Sequence, residues 1–382
     1  MSEWKKVKLG EICERVTSGG TPKANVSSYY NPPTIPWLKT KEVNYCRITE
    51  TENYISEEGL KNSSAKLISP NSVIIAMYGQ GDTAGRIAIN KIPLATNQAC
   101  CNLTIDKSKA DYEFIYYQLC TLYDKLVSLK AGAAQPNLNA RIIKNLEIIM
   151  PSLPIQHRIA SILSRYDSLI ENYQKQIKLL GEAAQRLYKE WFIDLHFPRH
   201  ENTNIIDGVP EGWEKKKVGD ITPIITGKKD ANFGTPDGEY PFFTCSQEPI
   251  KAPSFSFDCA AVLLAGNGDF NVKLYRGRFE AYQRTYVLSP YIDSHLYLLF
   301  YTISANMTKL AAGSSGSTIK FLTKGMIDGI NLNVPNDEIL RSFNKKVEPI
   351  QSSRESLQSQ LRLLTEARDR LLPKLMSGEI TI

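Results

Sequence analysis

IASILSRYDSLIENYQKQIKLLGEAAQRLYKEW, residues Ile159 to Trp191, is the stretch that decides the fold. Its apolar side chains recur at alternating intervals of four and three residues: Ile159, Leu163, Tyr166, Ile170, Tyr173, Ile177, Leu180, Ala184, Leu187 and Trp191. A repeat of 3.5 residues is typical of a long helix that coils against another helix. At 1.5 Å per residue, this helix spans about 50 Å.

The same spacing returns 184 residues later, with two arginines in the apolar set: Phe343, Val347, Ile350, Arg354, Leu357, Leu361, Leu364, Arg368, Leu371 and Leu375. We expect Arg354 and Arg368 to be exposed or snorkelling, rather than to act as a buried polar device that sets the register of the helices. Pro349 predicts that the second helix is kinked or starts late. The residues expected to form the seam between the helices are Ile159, Leu163, Ile170, Ile177, Leu187, Trp191, Leu357, Leu361, Leu364 and Leu371.

The segments between the helices also repeat. Trp4–Ile12 matches Trp213–Ile221 at an offset of 209, whereas the last strand-like runs before each helix match at 184. Inside each segment a buried strand runs into a glycine-rich turn, Gly79-Gln80-Gly81 in the first and Gly266-Asn267-Gly268 in the second. The second segment is therefore 25 residues shorter, and the difference lies in its interior.

This repeat predicts an α+β chain with two tandem domains of mixed helix and strand. We place the domains at residues 1–154 and 201–338 and the long helices at 155–200 and 339–382. An antiparallel coiled coil is favoured, because it lets the second domain pack at the far end of the first helix with a short linker. Repeated scaffold positions with different interiors suggest one architecture that presents two different surfaces.

Composition narrows the classes of function. A net charge of +6 permits a polyanionic partner without requiring one. No apolar run follows the N-terminus or is long enough to span a bilayer, so we expect a cytoplasmic protein without a membrane partner. The seven cysteines include no C-x-x-C pair, and no histidine lies near a cysteine pair at metal-ligand spacing. We expect no metal site, and we expect Cys100-Cys101 in a core strand.

Two short motifs suggest an enzyme, and neither is convincing. Tyr30-Asn31-Pro32-Pro33-Thr34 approaches the motif of N6-adenine methyltransferases, but Thr34 removes the aromatic ring that stacks a flipped base. Leu264–Gly268 resembles a cofactor loop, but its counterpart in the first domain assigns it to the repeated scaffold. A stand-alone adenosylmethionine-dependent DNA adenine methyltransferase therefore remains an alternative, as does a coiled-coil scaffold without a DNA role.

Two signatures resemble those of type I restriction-modification specificity subunits. Gly132–Asn139 resembles G-x-x-Q-P-N-L, and Pro154–Ala160 resembles P-x-x-x-Q-x-x-I-A. The ends of the two helices, Trp191-Phe192 and Arg370–Ile380, also look like that family. The resemblance covers the whole chain, although Ile155 replaces the usual Glu and Gly313–Ser317 replaces the second Q-P-N-L motif.

The resemblance implies a DNA-binding subunit without catalytic activity or a cofactor of its own. Each domain would read one half of a split target in double-stranded DNA, and the helices would set the gap. Two methyltransferase subunits would dock along the helices and use adenosylmethionine to methylate adenine. A motor-endonuclease subunit would complete the restriction enzyme.

Candidate DNA contacts are polar, basic or tyrosine side chains near the turns, since these groups bind phosphates and base edges. In the first domain they are Lys39, Thr40, Lys41, Tyr78, Gln80, Asn97 and Gln98. In the second they are Lys228, Lys229, Asn267, Lys273, Arg276, Arg278, Tyr282 and Arg284. Lys273, Arg276, Arg278 and Arg284, with Tyr275 and Tyr282, form the best basic-aromatic cluster, opposed only by Glu280. A solvated hairpin face is the alternative for each residue.

Overall fold

The structure, a computed structural model, describes residues 4–130, 137–314, 316 and 320–382. The chain divides into two compact units, one formed by residues 1–172 with 360–382 and the other by residues 173–359. Both divisions fall inside a long helix, so each long helix contributes a part to each unit. Most of the Gly132–Asn137 signature, and Ser315 and Ser317 of its counterpart, lie outside the described residues.

Unit 1 contains eleven strands among its described residues. They are β1 (Lys5–Lys8), β2 (Cys13–Ser18), β3 (Ile35–Leu38), β4 (Cys46–Ile48), β5 (Tyr54–Ile55), β6 (Leu67–Ile68), β7 (Val73–Ala76), β8 (Ile87–Asn90), β9 (Leu94–Thr96), β10 (Cys100–Ile105) and β11 (Glu147–Met150). Its helices are α1 (Glu57–Lys61), α2 (Tyr112–Cys120), α3 (Tyr123–Ser128), α4 (Ala140–Lys144) and the first part of α5 (Leu153–Tyr188).

Two sheets form the body of unit 1. One has the strand order β2-β10-β7-β8-β4 and the other β5-β3-β9-β6. The central strands β7, β8 and β10 are short runs in which almost every residue is buried, and Cys100 and Cys101 lie in the core as expected. Helix α2 packs on the larger sheet through Phe114 and Ile115, which are fully buried.

Unit 2 contains ten strands among its described residues. They are β12 (Ile205–Ile206), β13 (Val209–Pro210), β14 (Glu214–Lys217), β15 (Ile224–Thr226), β16 (Tyr240–Phe243), β17 (Ile250–Ala252), β18 (Phe257–Ala265), β19 (Val272–Ala281), β20 (Thr285–Leu288) and β21 (Asn331–Val334). Its helices are α6 (Val218–Ile221), α7 (Leu296–Gly313), α8 (Lys324–Asp328) and the first part of α9 (Asp337–Ser377). The main sheet has the order β15-β20-β18-β19-β16-β17.

The pairing of the outer strands confirms the internal repeat. Strand β1 pairs antiparallel with β11, and Lys5 faces Met150. Strand β14 pairs with β21 in the same way, and Glu214 faces Val334. These partners differ by the offsets of 209 and 184 that the sequence showed, so each unit is closed by its first and last strands in one register. The helices α4 and α8, which precede the last strands, also correspond at 184.

The long helices pair antiparallel within each unit. In unit 2, Arg354 lies against Gly181 and Phe343 packs on Trp191, so α9 runs opposite to α5. In unit 1, Arg368 bonds Asp167, while Ile382 lies beside His157 and Arg158. The predicted seam residues are buried or half-buried throughout. Helix α5 ends at Tyr188 and continues as a π-helical turn over Lys189–Ile193.

The structure excludes one of the two outcomes expected from Pro349, and it corrects the expectation for the two arginines. The helix does not start late, because α9 begins at Asp337 and continues through Pro349. Phe343 and Val347, both fully buried, anchor the turn before the proline, and a missing N–H removes only one backbone bond. Arg354 and Arg368 are not simply exposed: each is half-buried, Arg354 donates to Gln351 (3.0 Å), and Arg368 donates to Asp167 (2.9 Å).

Candidate nucleic-acid interface

Strand ends of unit 2 bring several predicted residues to one edge of the sheet. Lys229 and Tyr282 form an isolated parallel bridge, and the Gln283 N–H donates to the Lys229 carbonyl (2.9 Å). Lys228 and Arg284 are exposed beside them, and the Lys229 ammonium lies 4.3 Å from the centre of the Phe233 ring. Backbone hydrogen bonds therefore hold this edge together, and it carries three cations, Lys228, Lys229 and Arg284.

A glycine permits this close approach. A Cβ atom on Gly227 would lie 1.9 Å from the carbonyl oxygen of Ala281, which no side chain could tolerate. Gly227 thus lets the segment that carries Lys228 and Lys229 lie directly on the turn after β19. Gly19 has the same role in unit 1, where a Cβ would lie 2.1 Å from the carbonyl oxygen of Thr96. The sequence prediction missed both glycines, although each directly follows the last residue of a strand, Ser18 of β2 or Thr226 of β15.

The glycine-rich turn of unit 2 lies beside the same edge. The Gly266 N–H donates to the Arg284 carbonyl (2.8 Å), and Asn267 forms an isolated antiparallel β-bridge with Phe321. Lys273, at the start of β19, donates from Nζ to the Ser246 carbonyl (2.7 Å), and burial lowers the pKa of its ammonium. Lys273 thus ties the loop after β16 to this edge.

The basic-aromatic cluster predicted on β19 is divided between two faces. Side chains alternate along a strand, so Lys273 and Tyr275 point to one side and Arg276 and Arg278 to the other. Tyr275 packs on Phe243 and Phe279, whereas Arg276 lies 5.3 Å from the centre of the Tyr297 ring. The six residues therefore do not form one surface.

Two further contacts change the expected charge of this strand. Arg278 is paired with Asp258 (3.1 Å) at the surface, where both side chains are more than half exposed. Glu280 does not oppose the cations, because it is fully buried and accepts hydrogen bonds from Ser256 Oγ (2.6 Å) and the Ala281 N–H (2.9 Å).

Unit 1 builds a corresponding edge from strand ends. The Asn97 N–H donates to the Leu38 carbonyl (3.0 Å), which places the turn carrying Asn97 and Gln98 next to Lys39. Gln98 accepts a hydrogen bond from Thr21. Tyr78 is half-buried, and burial raises the pKa of its hydroxyl. It follows Met77, whose carbonyl accepts a hydrogen bond from the Leu138 N–H (3.0 Å). Gln80 is exposed on the glycine-rich turn.

The three residues after β3 differ in exposure. Lys39 donates to Asn53 Oδ1 (3.0 Å), and its ammonium lies 5.0 Å from the centre of the Trp37 ring. Thr40 is buried, whereas Lys41 is largely exposed beside Glu52 (3.6 Å). Lys39 and Lys41 are thus the cations of this segment, the first half-buried and the second exposed.

Both edges offer hydrogen-bond donors and cations rather than a reaction centre. In the described ranges no group of three or more His, Cys, Asp or Glu residues could hold a metal ion. The Asn31-Pro32-Pro33-Thr34 segment is exposed at the surface. No helix among the described residues is long and apolar enough to cross a membrane.

Known proteins resemble this chain over its whole length. The family model described as "Type I restriction modification DNA specificity domain" matches residues 1–180 and 210–353, and the chain therefore belongs to this family. The MjaIX specificity subunit of Methanocaldococcus jannaschii is 27% identical over 416 residues, which cover 100% of this chain and 94% of the relative. The EcoDI specificity subunit of Escherichia coli is 36% identical over 177 residues, 45% of this chain and 40% of the relative.

A solved structure supports the same fold. The crystal structure of a type I restriction-modification system S subunit from M. genitalium has a TM-score of 0.68 at 17% identity, over 98% of this chain and 96% of that one. The resemblance that the sequence signatures predicted is confirmed. The family consists of non-catalytic DNA-recognition subunits, so the chain is a specificity subunit and the enzyme alternative is not supported.

Proposed function

We propose that each unit reads one half of a bipartite target in double-stranded DNA, and that α5 and α9 set the gap between the halves. The observation that carries this proposal is the repeated edge: in each unit, a glycine lets a polar segment lie directly on the turn that carries Asn97 and Gln98 or Tyr282 and Arg284. On this proposal residues 1–154 and 201–338 are recognition domains, and residues 155–200 and 339–382 are spacer helices.

The chemistry of the edges suits duplex DNA. Lys39, Lys41, Lys228 and Arg284 supply positive charge for phosphates, and Gln80 and Gln98 supply side-chain amides that can contact base edges in the major groove. A helix of 36 residues is about 54 Å long, which exceeds the 34–36 Å of one duplex turn. Two readers held by such helices could reach successive major-groove faces.

The long helices also carry a repeated exposed face that suits two copies of one partner. Lys178-Leu179-Leu180-Gly181-Glu182-Ala183 and Arg362-Leu363-Leu364-Thr365-Glu366-Ala367 correspond at an offset of 184. Leu179 and Leu363, which correspond in this repeat, are 52% and 57% exposed. Two identical methyltransferase subunits would need two such equivalent surfaces.

In this assembly the partner subunits perform the chemistry. The methyltransferase subunits would bind adenosylmethionine and methylate adenine, and motor-endonuclease subunits would restrict DNA that lacks the modification. The assembly would act on DNA in the cytoplasm.

Substitutions in separate units test whether each unit reads one half. The chain is reconstituted with its methyltransferase partner, and methylation is measured on duplexes with single changes in either half-site. We expect Gln98→Ala in unit 1 and Arg284→Ala in unit 2 each to relax discrimination by about tenfold or more, and only in one half-site, a different half for each.

Lys215→Ala is the matched control, because Lys215 is exposed on β14, which belongs to a two-stranded sheet separate from the main sheet of unit 2. This variant should keep wild-type discrimination in both halves. If Gln98→Ala and Arg284→Ala relaxed the same half-site, or neither relaxed either half, the assignment of one half to each unit would be wrong.

A further inference from the structure

One buried carboxylate in unit 1 joins three segments that are far apart in sequence. Asp167 of α5 is 5% exposed. Its Oδ2 accepts from Arg47 of β4 (2.8 Å) and from the Tyr117 hydroxyl of α2 (2.5 Å), and its Oδ1 accepts from Arg368 of α9 (2.9 Å). The recognition sheet and the C-terminal helix thus meet on one side chain of the first helix.

Arg47 extends this network deeper into the recognition domain. Its side chain is only 8% exposed and also pairs with Glu113 of α2 (2.6 Å). Its guanidinium lies 5.6 and 5.9 Å from the ring centres of Tyr116 and Tyr117. Lys91 completes the group through Glu113 (2.9 Å). Each of these charged groups therefore has an oppositely charged partner that comes from another segment.

The same position in unit 2 is neutral. Gln351 corresponds to Asp167 at the offset of 184, and its Nε2 bonds the Tyr301 hydroxyl, just as Asp167 bonds Tyr117. The residue that corresponds to Arg368 is Ala184, which is fully buried. The contact between tyrosine and helix is therefore part of the repeat, whereas the ion pair between the long helices at this position is particular to unit 1.

The pair of Arg368 and Asp167 is partly buried, and to leave its carboxylate unpaired costs more than the pair itself contributes, so the pair can select one register of the two helices. A slip of one helical turn would move Arg368 about 5.4 Å along α5 and leave part of the Asp167 carboxylate without its partner. Apolar seam residues tolerate such a slip better, because one leucine replaces another. Asp167 therefore penalises every register of α9 but one.

We propose that Arg368 and Asp167, held by Arg47, are positioning residues. They fix the register of α9 on α5 and hold the first recognition sheet against both helices. They thereby determine which gap between half-sites is accepted. This inference rests on the proposed reading of a bipartite target. It assigns to three named side chains a role in gap length rather than in base recognition.

The test is methylation by the reconstituted complex on duplexes whose half-sites are separated by the natural gap or by one base pair more or less. Arg368→Leu keeps the bulk of the seam but removes the ion pair. We expect its preference for the natural gap over the altered gaps to fall by about tenfold, which corresponds to ~1.4 kcal/mol.

Arg354→Leu is the matched control. Arg354 is the other arginine in the same seam pattern, but it bonds only the neutral Gln351 among the partners described for it. This variant should keep the wild-type gap preference. Arg368→Lys, which retains the charge, should restore most of the preference and guards against a folding defect in the leucine variant.

A general loss of stability would lower methylation at all gaps together. The ratio of methylation at the natural gap to methylation at the altered gaps therefore reports on positioning and not on stability. If Arg368→Leu kept the wild-type ratio, or if Arg354→Leu changed it equally, the register lock would be overturned. A wild-type complex that methylates no gapped site would instead overturn the proposed function on which this inference rests.

Discussion

Replacement of Arg47 by methionine should destabilise unit 1 strongly. Methionine fills much of the same space but removes the guanidinium that joins Asp167, Glu113 and Tyr117. Asp167 and Glu113 are 7% and 13% exposed at the side chain, so water cannot readily replace the lost partner. The variant therefore leaves two buried carboxylates with fewer hydrogen-bond donors.

The expected loss follows from the partners that remain. Breaking a buried ion pair by removing one member costs about 3–5 kcal/mol. Asp167 keeps Arg368 and Tyr117, and Glu113 keeps Lys91, so neither carboxylate is left alone. We therefore expect the lower end of the range, about 3 kcal/mol in the free energy of unfolding of unit 1.

Arg278→Met supplies the matched control. Arg278 also lies on a strand and also pairs with an aspartate at a similar distance, 3.1 Å against 2.8 Å, but both side chains of its pair are more than half exposed. Exposed pairs contribute at most about 1 kcal/mol, and we expect about 0.5 kcal/mol or less here.

Urea denaturation followed by circular dichroism gives the free energies, and hydrogen exchange read by mass spectrometry assigns the loss to one unit. Exchange should accelerate in peptides of α2 and the first part of α5 for Arg47→Met and remain unchanged in α7. If Arg47→Met shifted the urea midpoint no more than Arg278→Met, the network would not stabilise unit 1, and its proposed role would lose its physical basis.

Three further predictions concern acid stability, DNA and partners. Burial alone would raise the pKa of Asp167, but bonds from Tyr117, Arg368 and Arg47 outweigh it and hold the pKa below its ordinary value. The stabilisation by the ionised Asp167 carboxylate is therefore present above pH ~3.9 and is lost as pH falls through the lower native pKa. We expect the difference in free energy of unfolding between wild type and Asp167→Asn, measured in urea, to become smaller below pH ~4. A difference that stays constant with pH would contradict this. Lys228→Ala should reduce the slope of log affinity for DNA against log salt by about 1, measured by fluorescence anisotropy, whereas Lys215→Ala should not. Leu179→Asp and Leu363→Asp should each remove one of two methyltransferase subunits from the complex by mass photometry, and full assembly of either variant would contradict the docking face.

The repeat was predictable because its signals are local in sequence. Apolar spacing located both long helices, and the offsets of 209 and 184 relate the strand pairs of the two units in the structure, Lys5 with Met150 and Glu214 with Val334. Such patterns can be read without knowledge of distant contacts, because the apolar residues at regular spacing show which face of each helix or strand is buried.

The polar contacts were not predictable in the same way. Arg47, Asp167 and Arg368 are separated by 120 and 201 residues, and nothing near any of them in sequence indicates a shared carboxylate. The expectation that Arg368 is exposed failed for this reason. The division of the β19 cluster has a different cause: Lys273 and Arg276 lie on opposite faces because residues 272–281 form one continuous strand, and alternation then separates them.

The most direct test of the central claim is the methylome of cells with and without this gene. If the chain reads a bipartite target for a methyltransferase, N6-methyladenine should occur at one motif with two short halves and a fixed gap, and only when the gene is present. An identical set of adenine-methylation motifs in both strains, with the partner subunits expressed, would contradict the account.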